Sequence, residues 1–180
     1  MKLGLFVDLK NLYYNVNKNW AGKRVNYELI QKQAISFHMN YEIYRAIAFG
    51  TEIKNEAGPF KNYLEAIGYE IQYRRSKYLD TNGLYQRASW DSGITLAIMS
   101  MAPRLDIVVL ASNNEDFIPV LNWCVFQGLK VHIFACGITC PMMEACHSYK
   151  EITQGHLLES ESIPNLGTDQ DGDTETGDQG

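Results

Sequence analysis

Residues 106–116 read DIVVLASNNED, an apolar run that is followed at once by polar and acidic side chains. The consecutive apolar residues 107–110 predict a strand that is buried on both faces, as the strands of a parallel sheet are. Ligands of open parallel sheets bind outside the carboxyl ends of the strands. The polar segment 112–116 is therefore a candidate functional site, and the rest of the fold can be predicted outward from this strand.

The same alternation of strand and helix patterns runs through the rest of the chain. Further strands are predicted over residues 3–7, 41–49, 69–74 and 130–135, and near 149–153. Helices are predicted over residues 27–37, 59–67, 89–102 and 115–126, and near 142–146. Strands separated by helices of ~10–15 residues predict βαβ units and an α/β fold whose parallel sheet is covered on both faces. Lys10 and Asn11 are expected in the loop after the first strand.

The composition is that of one ordinary globular domain. Of the 180 residues, 46% are hydrophobic and 21% are charged, which excludes a wholly disordered, collagenous or coiled-coil chain. No apolar run approaches the ~20 residues that cross a bilayer, and residues 1–8 lack the pattern of a signal peptide. The cysteines all lie within residues 124–146, unlike the disulfide framework of a secreted domain. We therefore expect a cytoplasmic protein without a membrane partner.

The acidic residues are distributed unevenly along the chain. Seven of the 21 lie beyond residue 156, where there is no Lys or Arg, so residues 1–156 carry 14 acidic and 16 basic side chains. We predict a folded domain over 1–156 and an acidic tail over 157–180. The tail is expected to be disordered from about Ser160, because it has no apolar periodicity to offset its ordering entropy. Its simplest role is to aid solubility; the alternative is a nucleic-acid mimic that folds over a basic surface.

Three aspartates are predicted to meet at one edge of the sheet. Asp8 ends the first strand, Asp91 begins a helix, and Asp116 follows the strand quoted above. Carboxylates within ~4–6 Å raise one another's pKa unless a cation lies between them, and Mg²⁺ or Mn²⁺ suits such oxygen ligands. An ion held in this way is typical of phosphodiester hydrolysis. The alternative is that Asp91 and Asp116 are helix N-caps, a role that explains a buried Asp8 less well.

Four segments resemble, in order, those of NYN domains, which are PIN-like nuclease-type domains. Residues 6–12, FVDLKNL, resemble the opening motif, and residues 90–96, WDSGITL, resemble the start of the central helix. Residues 110–121, LASNNEDFIPVL, resemble the third and most specific motif, and residues 128–134 match the glycine and strand that follow it. The resemblance covers residues 1–153.

The resemblance implies a Rossmann-like three-layer α/β/α sandwich with a mostly parallel central sheet, and a metal-dependent nuclease that acts on RNA. It implies that Asp8, Asp91 and Asp116 form the catalytic and metal-binding cluster. The carbonyl group of Asn114 would be a further ligand, and Mg²⁺ or Mn²⁺ the cofactor. Asn11 would support the first loop and contact metal-bound water or substrate.

The chain departs from the family pattern at two positions. NYN domains commonly have acids where this chain has Asn114 and Ala97. An amide carbonyl can still bind a cation but brings no charge, so a lower metal affinity is expected. Two function classes follow. One is a metal-dependent ribonuclease; the other is a catalytically weakened or inactive NYN-fold module that binds RNA.

Basic and aromatic residues are interleaved before the helix that Asp91 begins. We predict a phosphate-binding surface formed by Lys10, Arg74, Arg75 and Arg87. Neighbouring tyrosines and Trp90 would stack on bases, whether the RNA is single-stranded or structured. The alternative is a solvated face on which the tyrosines cover the edge of the core. The oligomeric state stays open, a homodimer included.

Removal of residues 160–180 should leave the free energy of unfolding nearly unchanged, because this segment has no apolar pattern with which to pack. Thermal unfolding of the truncated and full-length chains, followed by circular dichroism, tests this. A fall of several degrees in Tm on truncation would show that the tail packs against the domain.

Overall fold

The computed structural model describes residues 1–37, 41–52, 58–75, 77–78, 85–86 and 89–159. The strands are β1 (Lys2–Asp8), β2 (Lys23–Val25), β3 (Glu42–Glu52), β4 (Glu70–Arg75), β5 (Lys77–Tyr78), β6 (Tyr85–Gln86), β7 (Ile107–Ala111), β8 (Lys130–Ala135), β9 (Ser148–Glu151) and β10 (Leu157–Glu159). The helices are α1 (Leu9–Asn19), α2 (Tyr27–Ile35), α3 (Gly58–Ala66), α4 (Asp91–Met101), α5 (Ile118–Phe126) and α6 (Cys140–Glu144). None of these described helices has the length and apolar character to cross a bilayer. The tail that is predicted to be disordered from Ser160 lies outside the described residues.

Six strands form the central sheet in the order β4-β3-β1-β7-β8-β9, and each neighbouring pair is parallel. Counted along the chain, this is the order 3-2-1-4-5-6 of the doubly wound Rossmann fold. β1 lies in the middle, with β3 on one side and β7 on the other. The predicted Rossmann-like architecture with a mostly parallel sheet is thereby confirmed.

Helices cover both faces of the sheet because the strand side chains alternate between two cores. Leu5 and Val7 of β1 pack in the core that contains α1, α2 and α3. Phe6, between them, packs in the core that contains α4, α5 and α6. β7 alternates in the same way, with Val109 in the first core and Leu110 in the second. Burial on both faces accounts for the unbroken apolar run at 107–110.

The segment after β1 is a helix, and the predicted loop at this place is wrong. α1 begins directly after Asp8, so Lys10 and Asn11 lie in its first turn. Its buried residues are Leu9, Leu12 and Val16. These three share one helical face, but asparagine, with its low helix propensity, is frequent between and after them. Packing of the apolar face on the sheet outweighs that local preference.

Two boundaries differ from the sequence predictions. β3 continues past Gly50, where a Cβ atom would lie 2.7 Å from the ring of Tyr73. This glycine therefore allows close packing on β4 rather than a turn. The helix predicted from residue 115 starts as a 3₁₀ turn, Glu115–Phe117, and becomes α-helical only at Ile118. β10, which pairs with β2, begins directly after residue 156, and the domain bounds stay a prediction.

Candidate active site

The site lies at the carboxyl edge of the sheet, between its two central strands. β1 ends at Asp8 and β7 ends at Ala111, and the two strands are parallel neighbours. Later strands continue the sheet in opposite directions from this pair, with β3 and β4 on one side and β8 and β9 on the other. Such a topological switch point opens a crevice outside the strand ends, which is where ligands bind in doubly wound sheets.

Asp8 is the buried acid of this crevice, with 8% of its surface exposed. Its carboxylate is the N-cap of α1, since Oδ1 accepts a hydrogen bond from the backbone N–H of Asn11 at 3.1 Å. Oδ2 accepts a second hydrogen bond, from Oγ of Ser112 at 3.4 Å. The sequence favours Asp91 and Asp116 over Asp8 as helix caps, but Asp8 is a cap in the structure. Capping supplies one of the hydrogen-bond donors that a buried carboxylate requires.

Asp91 is the first residue of α4, but Trp90 occupies the N-cap position. Oδ1 of Asp91 accepts a hydrogen bond from Nδ2 of Asn114 at 3.2 Å, and Oδ2 accepts one from Oγ of Ser89. The same Oγ atom accepts a hydrogen bond from the backbone N–H of Asp91 at 3.0 Å. The alternative that Asp91 is a helix N-cap is therefore wrong, and its carboxylate faces the other side chains of the crevice.

Asp116 is not joined to the other two acids. Its side chain is exposed and makes no hydrogen bond or ion pair with the described part of the chain. It is not an N-cap either, because Asn114 caps this turn by accepting a hydrogen bond from the backbone N–H of Asp116 at 3.1 Å. Among the described residues, no three His, Cys, Asp or Glu side chains lie close enough together to hold a metal ion. The place of Asp116 in a metal cluster stays a prediction.

A continuous chain of hydrogen bonds joins Asp8 to Asp91. Oγ of Ser112 donates to Asp8 and accepts a hydrogen bond from the backbone N–H of Asn114 at 3.2 Å. Asn114 in turn donates to Asp91 through its amide. All four carboxylate oxygens of the two acids thus accept a hydrogen bond from the protein. Ser112 lies in the candidate segment 112–116 that the sequence predicts, but the sequence gives it no role, and Ser89 is not among the predicted residues, since its only signal is its position beside a helix start.

The electrostatic environment of Asp8 disfavours its negative charge. Burial raises the pKa of Asp8 above its ordinary value, and the negative charge of Asp91 raises this pKa further. The hydrogen bonds from Asn11 and Ser112 and the positive charge of Lys10 lower it in part, without cancelling the rise. Burial thus disfavours the charged form of Asp8, and a cation bound beside this carboxylate would offset that cost.

Three asparagines fasten the loops of the site to one another. Oδ1 of Asn11 accepts a hydrogen bond from the backbone N–H of Asn113 at 3.0 Å, and Asn15 donates to Oδ1 of Asn113 at 3.1 Å. Nδ2 of Asn113 donates to the carbonyl groups of Cys136 and Gly137, at 2.9 and 3.2 Å. The loop after β7 is thus held both to α1 and to the loop after β8. Sequence patterns do not single out Asn15 and Asn113, although a spacing of four residues places Asn11 and Asn15 on one helix face.

Arg74 is the basic side chain that lies beside the Ser89–Asp91 pair. Its guanidinium is 4.1 Å from the centre of the Trp90 ring, and Nη1 donates a hydrogen bond to the carbonyl of Ser89 at 3.1 Å. The side chain is otherwise exposed, so its charge remains accessible to an anionic ligand. The side chain of Arg75 and the whole of Arg87 lie outside the described part of the chain.

Trp90 is fixed in place by its neighbours. Its Nε1 donates a hydrogen bond to the carbonyl of Gly50 at 2.5 Å, and its ring makes an edge contact with Phe49. A Cβ atom on Gly93 would collide with the ring, so a glycine in the first turn of α4 leaves room for it. The ring thereby braces Arg74 and the start of α4, which positions Asp91.

The donor set of the crevice fits a hydrated magnesium or manganese ion. Mg²⁺ in proteins is commonly bound by one or two carboxylates, while water and substrate phosphates complete its coordination. Asp8 and Asp91 are two carboxylates linked by Ser112 and Asn114. The raised pKa of Asp8 is consistent with a site that lacks a positive charge.

Comparison with known proteins agrees with the fold described above. A family model described as the NYN domain matches residues 2–153. Among solved structures, a crystal structure of a protein of unknown function from Vibrio parahaemolyticus RIMD 2210633 is similar, with a TM-score of 0.75 and 22% sequence identity. The similarity covers 87% of this chain and 96% of that chain, and it shows the shared fold. A comparison with curated proteins gives no match.

The substitution Asp8→Asn should stabilise the metal-free protein at neutral pH and have a smaller effect in acid. Asn keeps the helix cap and removes a buried charge. Because the pKa of Asp8 is raised in the folded state, the unfolded chain loses this proton first as the pH rises. The wild-type protein therefore loses stability between the ordinary pKa of Asp and its raised folded value. Urea unfolding with EDTA, at pH values from 3 to 7, measures the difference.

The matched control for this experiment is Asp116→Asn, an acid of the same site that is exposed to solvent. Its effect on the free energy of unfolding should be small, because the exposed side chain of Asp116 makes no hydrogen bond or ion pair with the described part of the chain. If Asp8→Asn destabilises the protein more at pH 7 than at pH 3, burial does not determine the protonation of Asp8.

Proposed function

We propose that this chain, which belongs to the NYN domain family, is a cytoplasmic, metal-dependent nuclease that hydrolyses phosphodiester bonds in RNA. The family is part of the PIN-like nuclease superfamily, whose domains generally use divalent metal ions and act on RNA. The observation that carries the proposal is the pair of linked acids, Asp8 and Asp91, at the switch point of the sheet. The four cysteines are free thiols, which suits a reducing compartment.

The three acids, and the two residues that bond Asp8, each have a role in this proposal. Asp8 and Asp91 would hold Mg²⁺ or Mn²⁺, and Asp116 completes the proposed set of acids from the exposed rim. The bound ion would lower the pKa of a coordinated water and offset charge on the phosphate. Asn11 and Ser112 hold Asp8 in place, since their hydrogen bonds fix both of its carboxylate oxygens.

Among the described residues, Arg74 and Lys10 are the proposed phosphate-binding side chains. Arg74 lies against Trp90 and bonds the residue that holds Asp91. Lys10 lies in the first turn of α1, near enough to lower the pKa of Asp8. Their charges would neutralise the RNA backbone on either side of the crevice. Arg75 and Arg87 belong to the same proposed surface on the basis of the sequence.

A second candidate function is RNA binding without cleavage. One observation favours it: at a position where related domains commonly have an acid, the amide of Asn114 donates a hydrogen bond to Asp91. Ala97 in α4 likewise brings no charge. A site with fewer carboxylates holds a divalent ion less tightly. This function replaces the first if the wild-type chain cleaves neither RNA nor single-stranded DNA with Mg²⁺ or Mn²⁺, while Asn114→Asp does.

The central test is cleavage of end-labelled single-stranded RNA by the full chain with Mg²⁺ or Mn²⁺. Asp8→Asn and Asp91→Asn should each lower the cleavage rate at least ~100-fold, because each removes a negatively charged ligand of the ion. EDTA should abolish cleavage by the wild-type protein. Both variants should still fold, since Asn replaces Asp with nearly the same shape.

The control for this test is Glu65→Gln, which removes an exposed carboxylate from α3. Its cleavage rate should equal that of the wild type. Cleavage that survives in both Asp variants, or that Glu65→Gln also abolishes, would contradict the assignment of activity to this crevice.

The substitution Arg74→Ala should weaken single-stranded RNA binding and flatten its salt dependence, because one phosphate contact is lost. Fluorescence anisotropy over a series of salt concentrations, with the catalytically silent Asp8→Asn background, measures both. Arg104→Ala is the matched control, since Arg104 is exposed beside the amino end of β7, at the opposite edge of the sheet. An unchanged salt slope for Arg74→Ala would remove Arg74 from the RNA-binding surface.

A further inference from the structure

The side chain of Asn114 makes two hydrogen bonds in opposite roles. Oδ1 accepts from the backbone N–H of Asp116 at 3.1 Å, and Nδ2 donates to Oδ1 of Asp91 at 3.2 Å. The first partner can only donate, and the second, when ionised, can only accept. The two partners therefore fix the orientation of the amide, with its N–H groups towards Asp91 and its carbonyl towards the turn.

In this orientation, the side chain of Asn114 opposes the binding of a cation at Asp91. The carbonyl oxygen is the atom of this side chain that could ligate a metal ion, and the helix cap already uses it. Oδ1 of Asp91 is bonded by the amide, and Oδ2 is bonded by Ser89. A hard cation that approaches Asp91 on the Asn114 side meets N–H groups that carry partial positive charge. On that side, the cation reaches the lone pair of Oδ1 that the amide occupies only by displacing the amide.

We propose that Asn114 competes with the divalent cation for Asp91, and that it lowers the metal affinity of the site instead of acting as a ligand. The inference rests on the proposed metal-dependent function. In the cation-free protein, the amide of Asn114 donates the hydrogen bond that Oδ1 of Asp91 accepts. Loading an ion breaks the Nδ2···Oδ1 bond but leaves the cap of the Asp116 N–H in place.

The backbone of Asn114 couples this exchange to the second acid. Its N–H bonds Oγ of Ser112, and the same Oγ donates to Asp8. Asn114 thus contacts Asp91 through its side chain and the hydrogen-bond partner of Asp8 through its backbone. A residue at the surface of the crevice would have no such connection.

The substitution Asn114→Ser removes the amide that competes for Asp91 but keeps an N-cap for the turn at Asp116. Serine is as good an N-cap as asparagine and can keep the bond to the Asp116 N–H, but it has no amide that reaches Asp91. We expect Asn114→Ser to bind Mn²⁺ about tenfold more tightly than the wild type, because no hydrogen bond to the carboxylate has to be broken. Isothermal titration of the full chain with Mn²⁺ alone measures this. Asn122→Ser, at an exposed position of α5, is the matched control and should bind as the wild type does.

Two further measurements test this inference without a cleavage assay. In ¹H–¹⁵N spectra of the wild type, the side-chain NH₂ resonances of Asn114 should shift on titration with Mg²⁺, while those of Asn122 should not. Asn114→Gly, which caps almost as well as asparagine, provides a second variant without the amide. It should also bind Mn²⁺ more tightly, and it serves if Asn114→Ser fails to fold.

The possible outcomes separate this inference from the proposed nuclease function. Weaker Mn²⁺ binding by Asn114→Ser and Asn114→Gly would identify Asn114 as a ligand and overturn the inference. Equal binding by the wild type and both variants, or no binding by any of them, would overturn it as well. If both variants bind more tightly while the wild-type chain cleaves no nucleic acid, competition at Asp91 stands and the nuclease proposal fails.

Discussion

The buried carboxylate of Asp8 is the constraint on which the rest of the site depends. It ends β1, one of the two central strands of the sheet, and it is buried at the start of α1. An ionised group in such a place has to be given hydrogen-bond donors by the fold. One donor comes from the turn that follows in sequence, and the other comes from Ser112, across the sheet at the end of β7. The position of α1 and the conformation of the loop after β7 are both tied to this one side chain.

Asparagine is well suited to the connections that surround this acid. Its planar amide donates and accepts, so a single side chain can bond backbone groups from different elements without adding charge. Asn113 joins α1 to the loop after β8 in this way, and Asn114 joins the turn before α5 to the start of α4. Neutral cross-links of this kind stiffen the crevice without adding further charge to a site where Asp8 is already costly to ionise.

The same hydrogen bonds relate the two candidate functions to each other. Because every carboxylate oxygen of Asp8 and Asp91 already accepts a bond from the protein, the described fold does not need a cation to satisfy its acids. A binding module requires no more than this. A nuclease of the proposed kind requires in addition that the two carboxylates bind an ion, and we have proposed that the amide of Asn114 competes with the ion for Asp91. In these two proposals the functions share one architecture and differ in how tightly the crevice would hold an ion.

The sequence by itself determined the α/β architecture and the edge at which the acids gather. Consecutive apolar residues such as 107–110 require burial on two faces, and acids placed directly after them have to lie at the strand ends. The resemblance of residues 6–12, 90–96 and 110–121 to NYN motifs named the family, and the family model bears this out. Local patterns did not determine α1, because its asparagines have low helix propensity and its apolar face gains its stability only by packing on the sheet.

Only the tertiary structure decided which acids share a network and which residues cap the helices. Asp8 caps α1, Asn114 caps the turn before α5, and Asp91 caps nothing. The bond between Asn114 and Asp91 joins residues that are 23 positions apart. Its geometry depends on how α4 and the loop after β7 pack against each other. Sequence spacing places residues on a strand, a helix or an edge, but a hydrogen bond between elements requires distances of about 3 Å that only the assembled fold fixes.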